Sequence, residues 1–282
     1  METQKPDLQI PQLLRDWLAE LQGSVRPTSY TIYQSEVHNH ILPELGGIPL
    51  REVIASTGEG LSRTLVEKGL SPRMVNDVIG KLGQALRWGV DNGYDVPILR
   101  QTAMERRRQE LRFLTAEEQR RLEASLTIEN QAFVNAVLLA LRGGLTIGEI
   151  CALSWQDIDL ERRTMRIHQI CQRVTGGLTY LETEARTVPL PNGVEVDKTD
   201  HTGFFLHPPR GGTPEPRLCQ FWLKKHLKGN ALPEDITYAA LRSTYIRNLM
   251  EAGTDFIQVS RLSGCRDLNE LWKKYGIFYG YR

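Results

Sequence analysis

Apolar residues recur at helical spacing near the start of the chain. Within Leu8–Gln22, the residues Ile10, Leu13, Leu14, Trp17, Leu18 and Leu21 fall on one face, and Gly23 ends the run. A second helix is expected over Pro27–Ile41, with Thr28 and Ser29 as cap candidates and Leu42-Pro43 as its end. Beyond the Gly46-Gly47 turn, short helices near Leu50–Ile54 and Gly60–Glu67 precede a longer one. That one opens at Ser71-Pro72, a cap followed by a first-turn proline, and runs past Trp88 to a stop at Asn92-Gly93. Pro97 and the basic run Arg106-Arg107-Arg108 mark a connecting stretch, and the boundaries are placed at 1–100 for the helical module, 101–112 for the linker and 113–282 for a second domain.

In the second domain Thr115 caps a helix, with Glu118 at the capping-box position, and the nearly all-apolar Ala132–Leu141 should sit at the centre of a core. The Gly143-Gly144 turn leads into a helix around Ile147–Ile150. The period then changes. Thr164–Ile167 and Leu178–Leu181 read as strands flanking Gly176-Gly177, and Arg186–Leu190 as a third. Helices return around Glu215–Lys228, Tyr238–Ala252 and Phe256–Leu262, with a last segment reaching Tyr275. The fold class expected is mainly α with a small β-sheet.

Composition narrows the functional classes. The 282 residues are 40% hydrophobic and 24% charged, which is ordinary for globular protein. There is no run of 18 or more apolar residues, and Met1–Lys5 does not open like a signal or transit peptide, so a cytoplasmic protein with no membrane partner is expected. Cys151, Cys171, Cys219 and Cys265 lack the spacing of a zinc site or a disulfide framework. Buried free thiols are expected, with no metal and no cofactor. The net charge of +1 divides into −2 over residues 1–100 and +3 over 101–282, so any affinity for phosphate must come from local patches.

Several segments in order resemble the tyrosine recombinase, or phage-type integrase, family. Tyr30-Thr31-Ile32-Tyr33, His40-Ile41-Leu42-Pro43-Glu44-Leu45-Gly46 and Leu70-Ser71-Pro72-Arg73 resemble its SAM-like core-binding domain. Phe113-Leu114-Thr115-Ala116-Glu117-Glu118, Leu145 to Asp159, Arg186-Thr187-Val188-Pro189-Leu190 and Leu241-Arg242-Ser243-Thr244 resemble its catalytic domain. The resemblance implies a helical core-binding domain joined to an α+β catalytic-type domain, and double-stranded DNA as partner. It also implies a chemistry in which a tyrosine attacks a phosphodiester. Two arginines hold the charged phosphorus centre, a hairpin lysine protonates the leaving oxygen, and histidines handle protons.

Measured against that requirement, the chain departs at most positions. The first arginine falls on Thr146 and the lysine on Glu182. The histidines fall on Ala239 and Cys265, and Ser243 stands at another family position. Arg242 matches the second arginine, and Tyr275 is the candidate nucleophile, with Tyr279 and Tyr281 as weaker ones. Arg142, Arg186 and Arg210 are the available substitutes, although a guanidinium is a poor proton donor. DNA contacts are expected from Arg73, Lys81 and Arg87 on the long helix and from Arg186 and Arg242.

The reading that follows is a DNA-binding protein that does not cleave: a regulator, an architectural element or a non-cleaving subunit. It would partner an active recombinase or itself as an oligomer on DNA, with no small-molecule substrate. An active recombinase cleaving through Tyr275 and a protein-interaction remnant of a mobile element are the alternatives.

Overall fold

The computed structural model describes residues 9–99, 111–127, 130–174, 177–196, 202–209 and 211–279. The chain forms two compact units, Met1–Gln109 and Glu110–Arg282.

The first unit is helical: α1 (Ile10–Leu21), α2 (Pro27–Glu36), α3 (Leu42–Leu45), α4 (Thr57–Glu67) and α5 (Pro72–Asp91). Its core joins Leu13, Leu14 and Trp17 of α1 to Leu61 and Leu65 of α4 and to Val75, Val78, Leu82 and Leu86 of α5. Ser71 caps α5 by accepting a hydrogen bond from the Met74 N–H. The helix expected over Pro27–Ile41 is not uniform, because Val37–Ile41 widens into a π-turn before α3. Pro43 lacks the N–H that would bond a carbonyl one turn back, and the Leu42 N–H reaches Val37 O instead. The fourth helix begins at Thr57, three residues ahead of the expected Gly60.

The second unit places α6 (Ala116–Ser125), α7 (Gln131–Leu141) and α8 (Ile147–Ala152) before a small sheet. The helices α9 (Pro216–Gly229), α10 (Tyr238–Glu251), α11 (Phe256–Ser263) and α12 (Leu268–Tyr275) follow it. As its composition requires, α7 is the buried centre, with Phe133, Ala136, Val137, Leu139 and Leu141 in contact with Ile150, Met165, Ile167 and Leu241. A second cluster gathers Ile246, Met250, Val259, Leu271 and Tyr275, so α10 serves both.

The sheet is antiparallel in the order β1 (Ile158–Asp159), β2 (Thr164–Val174), β3 (Gly177–Pro189). Here the expectation needs correcting, since Leu178–Leu181 and Arg186–Pro189 belong to one strand, with Leu190 just past its end. The residues between them stay paired to β2, as Gln169 opposite Glu182 shows, and a bulge between Ile167 and Gln169 adjusts the register. The third strand is the two-residue β1, too short for any period to reveal. Among the described residues no helix is long and apolar enough to cross a membrane, and no group of three or more His, Cys, Asp or Glu is placed to hold a metal.

Candidate active site

Thr146 begins the site as a helix cap. Its Oγ1 accepts from the Glu149 N–H at 3.3 Å, while Glu149 Oε2 accepts from the Thr146 N–H at 2.7 Å, a reciprocal capping box at the start of α8. At the position where the resemblance expects the first arginine, the Thr146 oxygen thus serves its own helix as an acceptor and brings no charge. The same geometry turns Glu149 inward, where it is buried.

Two arginines converge on that carboxylate. Arg186 of β3 places Nη1 at 2.5 Å from Oε1, and Arg242 of α10 places Nη1 at 3.8 Å from Oε2. Arg186 also donates through Nε to Leu262 O at 3.2 Å, and Arg242 through Nη2 to Ser263 O at 2.7 Å. The end of α11 thus holds both guanidiniums by successive carbonyls. Gly264 follows with φ +70°, and a Cβ there would lie 2.7 Å from Arg186 Nη1, so the left-handed glycine leaves room for the arginine. Burial alone would raise the Glu149 carboxyl. The hydrogen bond and charge of Arg186, with the Thr146 N–H and the charge of Arg242, outweigh that and hold it below the usual carboxylate range.

The other positions singled out by the resemblance differ in burial. Ala239 is exposed, and Glu182 is exposed on β3. Cys265 is half-buried; burial pushes its thiol up, partly offset by the charge of Arg242. Its sulfur therefore lies within the field of the site without being a ready thiolate. Tyr275 is buried, with its hydroxyl 3.1 Å from Ser243 Oγ and its ring edge-on to Phe113.

Of the substitute arginines, Arg142 is paired with Glu123 at 3.0 Å and donates to Asn192 O at 3.0 Å, which turns it away from the role of second guanidinium. Tyr279 packs on Phe256 and Trp272. Arg210 and Tyr281 lie outside the described residues. The three remaining cysteines are buried, with the sulfurs of Cys151 and Cys219 3.8 Å apart.

On α5, Arg73 and Arg87 are exposed. The expected contact from Lys81 is a correction: its ammonium is an interior ion pair with Glu36 at 2.7 Å and lies over the Tyr33 ring. Buried apolar neighbours on both sides of Lys81 in α5 draw its stem inward, and Glu36 satisfies the charge there.

A basic face that the sequence reading missed lies on α9. Cys219, Leu223 and Leu227 point into the core at a spacing of four, which leaves Arg217, Phe221, Lys224, Lys225 and Lys228 exposed, with no acidic residue in the helix. The spacing of those cations about the apolar positions was the available signal.

Sequence and structure comparisons agree on the family and the fold. The phage integrase family matches residues 107–276, and the phage integrase N-terminal SAM-like domain matches residues 10–55. A XerC-like tyrosine recombinase of Caldanaerobacter subterraneus subsp. tengcongensis is 23% identical over 301 residues, covering 92% of this chain and 76% of that protein. The protein IntQ of Escherichia coli strain K12, which its name describes as defective, is 30% identical over 181 residues, covering 58% of this chain and 45% of that protein. Among solved structures, the Tn1549 transposon integrase in complex with a circular intermediate DNA superposes with a TM-score of 0.79 at 21% identity, covering 95% of each chain. A lambda integrase dimer bound to a COC' core site gives 0.73 at 15% identity, covering 98% of this chain and 96% of that one. At those identities the superpositions establish a shared fold. With the family match spanning more than half of its length, this chain belongs to the phage integrase family.

Proposed function

We propose that this protein binds double-stranded DNA through the integrase fold and does not cleave it, acting as a regulator, an architectural element or a non-cleaving subunit in site-specific recombination. One observation carries the reading. Arg242 keeps its place beside Glu149, but the positions that should supply a second charge and a proton donor hold Thr146, Glu182, Ala239 and Cys265.

Magnitudes favour loss of turnover. Removing one transition-state donor costs ~10²–10³ in rate, and removing a general acid or base costs a further ~10²–10⁴. Losses within one catalytic unit do not simply multiply, yet the uncatalysed phosphodiester reaction is so slow that little useful rate survives. The buried Tyr275 hydroxyl, engaged with Ser243, fits a structural role better than a nucleophile held open to DNA.

Binding to a duplex is supported differently. The Tn1549 and lambda integrases of the same fold were solved with DNA, the latter also as a tetramer on a Holliday junction. In this chain the exposed Arg73 and Arg87, and the face of α9 with Arg217, Lys224, Lys225 and Lys228, offer cations for backbone phosphates. The proposed partners are DNA and either a second copy or an active recombinase. The functional division is 1–100, 101–112 and 113–282, and the setting is the cytoplasm.

The test is a duplex-binding titration across a range of salt. Affinity should fall linearly on a double-logarithmic plot, with a slope near ~0.9 per phosphate contacted. No binding even at low salt would contradict the reading.

A further inference from the structure

We infer that the cavity beside α9 receives an unpaired DNA base, stacked on aromatic side chains, while the cations of the same helix hold the adjoining phosphates. The inference rests on the DNA-binding reading and names the feature of the DNA that this face selects.

Helix geometry sets the two surfaces next to one another. Leu218, Trp222, Lys225 and Gly229 follow a spacing of four, three and four along α9 and line the cavity. Arg217, Phe221, Lys224 and Lys228 repeat that spacing one residue earlier and stand exposed. The cavity therefore runs beside a ridge of cations. Phe221 and Lys225 are exposed and also line the cavity, so they lie where the two meet.

The walls suit a flat ring. The cavity measures about 580 Å³, within the ~300–1,000 Å³ of small-molecule sites, and Phe133, Phe221, Trp222 and His226 contribute to its lining. The His226 ring lies 5.0 Å from that of Phe133, and its Nε2 is held 2.8 Å from Ser125 Oγ. Burial keeps this imidazole below its ordinary pKa, so it presents a neutral ring rather than a further cation. Every base has a π-face, so aromatic walls of this kind accept a base whatever its identity.

Two amides at the lining complement a base edge. Asn130 commits its oxygen to capping α7, accepting from the Phe133 N–H at 3.1 Å, which leaves its amide nitrogen as a donor. Asn230 commits its nitrogen to His226 O at 2.9 Å, which leaves its oxygen as an acceptor. A base offers both kinds of partner.

Charge and continuity select the occupant. With no acidic residue in α9, an anionic ligand is favoured, and the ridge beside the cavity is the surface proposed to meet backbone phosphates. The molecule alongside is then DNA. A paired base would have to leave its stack at a cost of unpairing, whereas a base at a single-stranded end or branch enters without it.

The experiment uses the full chain and two short duplexes of one arbitrary sequence, fully paired or carrying a short single-stranded tail, with binding followed by fluorescence anisotropy at fixed salt. Wild type should bind the tailed duplex roughly 5- to 150-fold more tightly, the worth of one stacked base. Phe221→Ala should bring that ratio near one. Phe221 is 61% exposed and outside the core, so the variant should fold, which thermal melting checks. A second readout needs no variant: 5-iodouracil in the tail, irradiated in the wild-type complex, should crosslink to Phe221, Trp222 or His226, as mass spectrometry would map. A wild-type ratio near one, or a crosslink confined to residues away from the cavity, would overturn the proposal while leaving duplex binding intact. Wild type that binds neither DNA would instead remove the reading beneath it. A ratio near one together with binding of a short peptide of glutamates around one phenylalanine, lost in Phe221→Ala, would overturn the proposal in favour of a protein partner.

Discussion

Ser243 and Tyr275 are hydrogen bonded to one another, Oγ to hydroxyl, at 3.1 Å in a buried setting. The bond ties the middle of α10 to the end of α12 and closes the smaller hydrophobic cluster of the second unit. Tyr275→Phe leaves Ser243 without that partner while keeping the ring against Phe113. The expected cost is about 1 kcal/mol, which for a unit of this size lowers its melting temperature by roughly 2–4 °C. DNA affinity should be unchanged, as a titration of the variant beside wild type would show.

Two carboxyls make the second unit sensitive to acid. The hydrogen bond from Arg112 is the largest influence holding Glu118 at about 2, and Glu149 is also held below the ordinary range. Both folded values lie below the unfolded ones. The stability they contribute is therefore complete above about pH 4.3, the ordinary glutamate value, and is lost as pH falls through the folded values. Urea midpoints should be flat from pH 7 to about pH 5 and decline steadily below that. Glu118→Gln should make the decline shallower, and an equal decline in the variant would assign the effect elsewhere.

Gly264→Ala combines two penalties: a left-handed φ of +70° and a Cβ against Arg186. A non-glycine residue at such a backbone position costs of order 1–3 kcal/mol before the displacement of Arg186 is added. Chemical denaturation should show a loss of at least that size. A variant as stable as wild type would mean that the turn after α11 readily relaxes.

Lys81 and Arg87 share a helix but should respond in opposite ways. Lys81→Met strands Glu36 in the interior, and breaking a buried pair costs about 3–5 kcal/mol, so the first unit should be severely destabilised. Arg87→Ala, at an exposed position, should change stability by no more than about 0.5 kcal/mol while reducing the salt slope of DNA binding by about 0.9. Denaturation and anisotropy measured on the same two variants separate the roles.

On α9, exchanging Lys224, Lys225 and Lys228 for glutamate should leave the core untouched, since Leu223 and Leu227 face inward. Binding should weaken strongly, with a markedly smaller salt slope. Unchanged binding in a folded triple variant would exclude this face from the DNA interface.

Helix periodicity made most of the architecture legible, because α1 and α5 each bury a regular stripe and carry recognisable ends, while the unbroken apolar run of α7 marks a helix buried nearly all round. The sheet was less so. Glu182 and its polar neighbours interrupt the apolar pattern of β3, and only pairing with β2 keeps them in one strand. In the site, the resemblance singled out Arg242, Tyr275, Thr146 and Cys265 as the positions to inspect. That Glu149 joins Arg186 to Arg242 could not, since the three come from α8, β3 and α10 and meet only in the tertiary fold. Lys81 shows the converse: a basic residue expected on the surface found a buried acid 45 positions earlier in the chain.

The claim that this integrase fold binds without cutting is tested most directly by trapping. The full chain is incubated with a pool of nicked duplexes of randomised sequence, designed so that cleavage releases a short fragment and leaves protein joined to DNA, and the mixture is run under denaturing conditions. No covalent adduct is expected from the wild-type protein, although the same pool is bound at low salt. An adduct formed by wild type and absent from Tyr275→Phe would contradict the account.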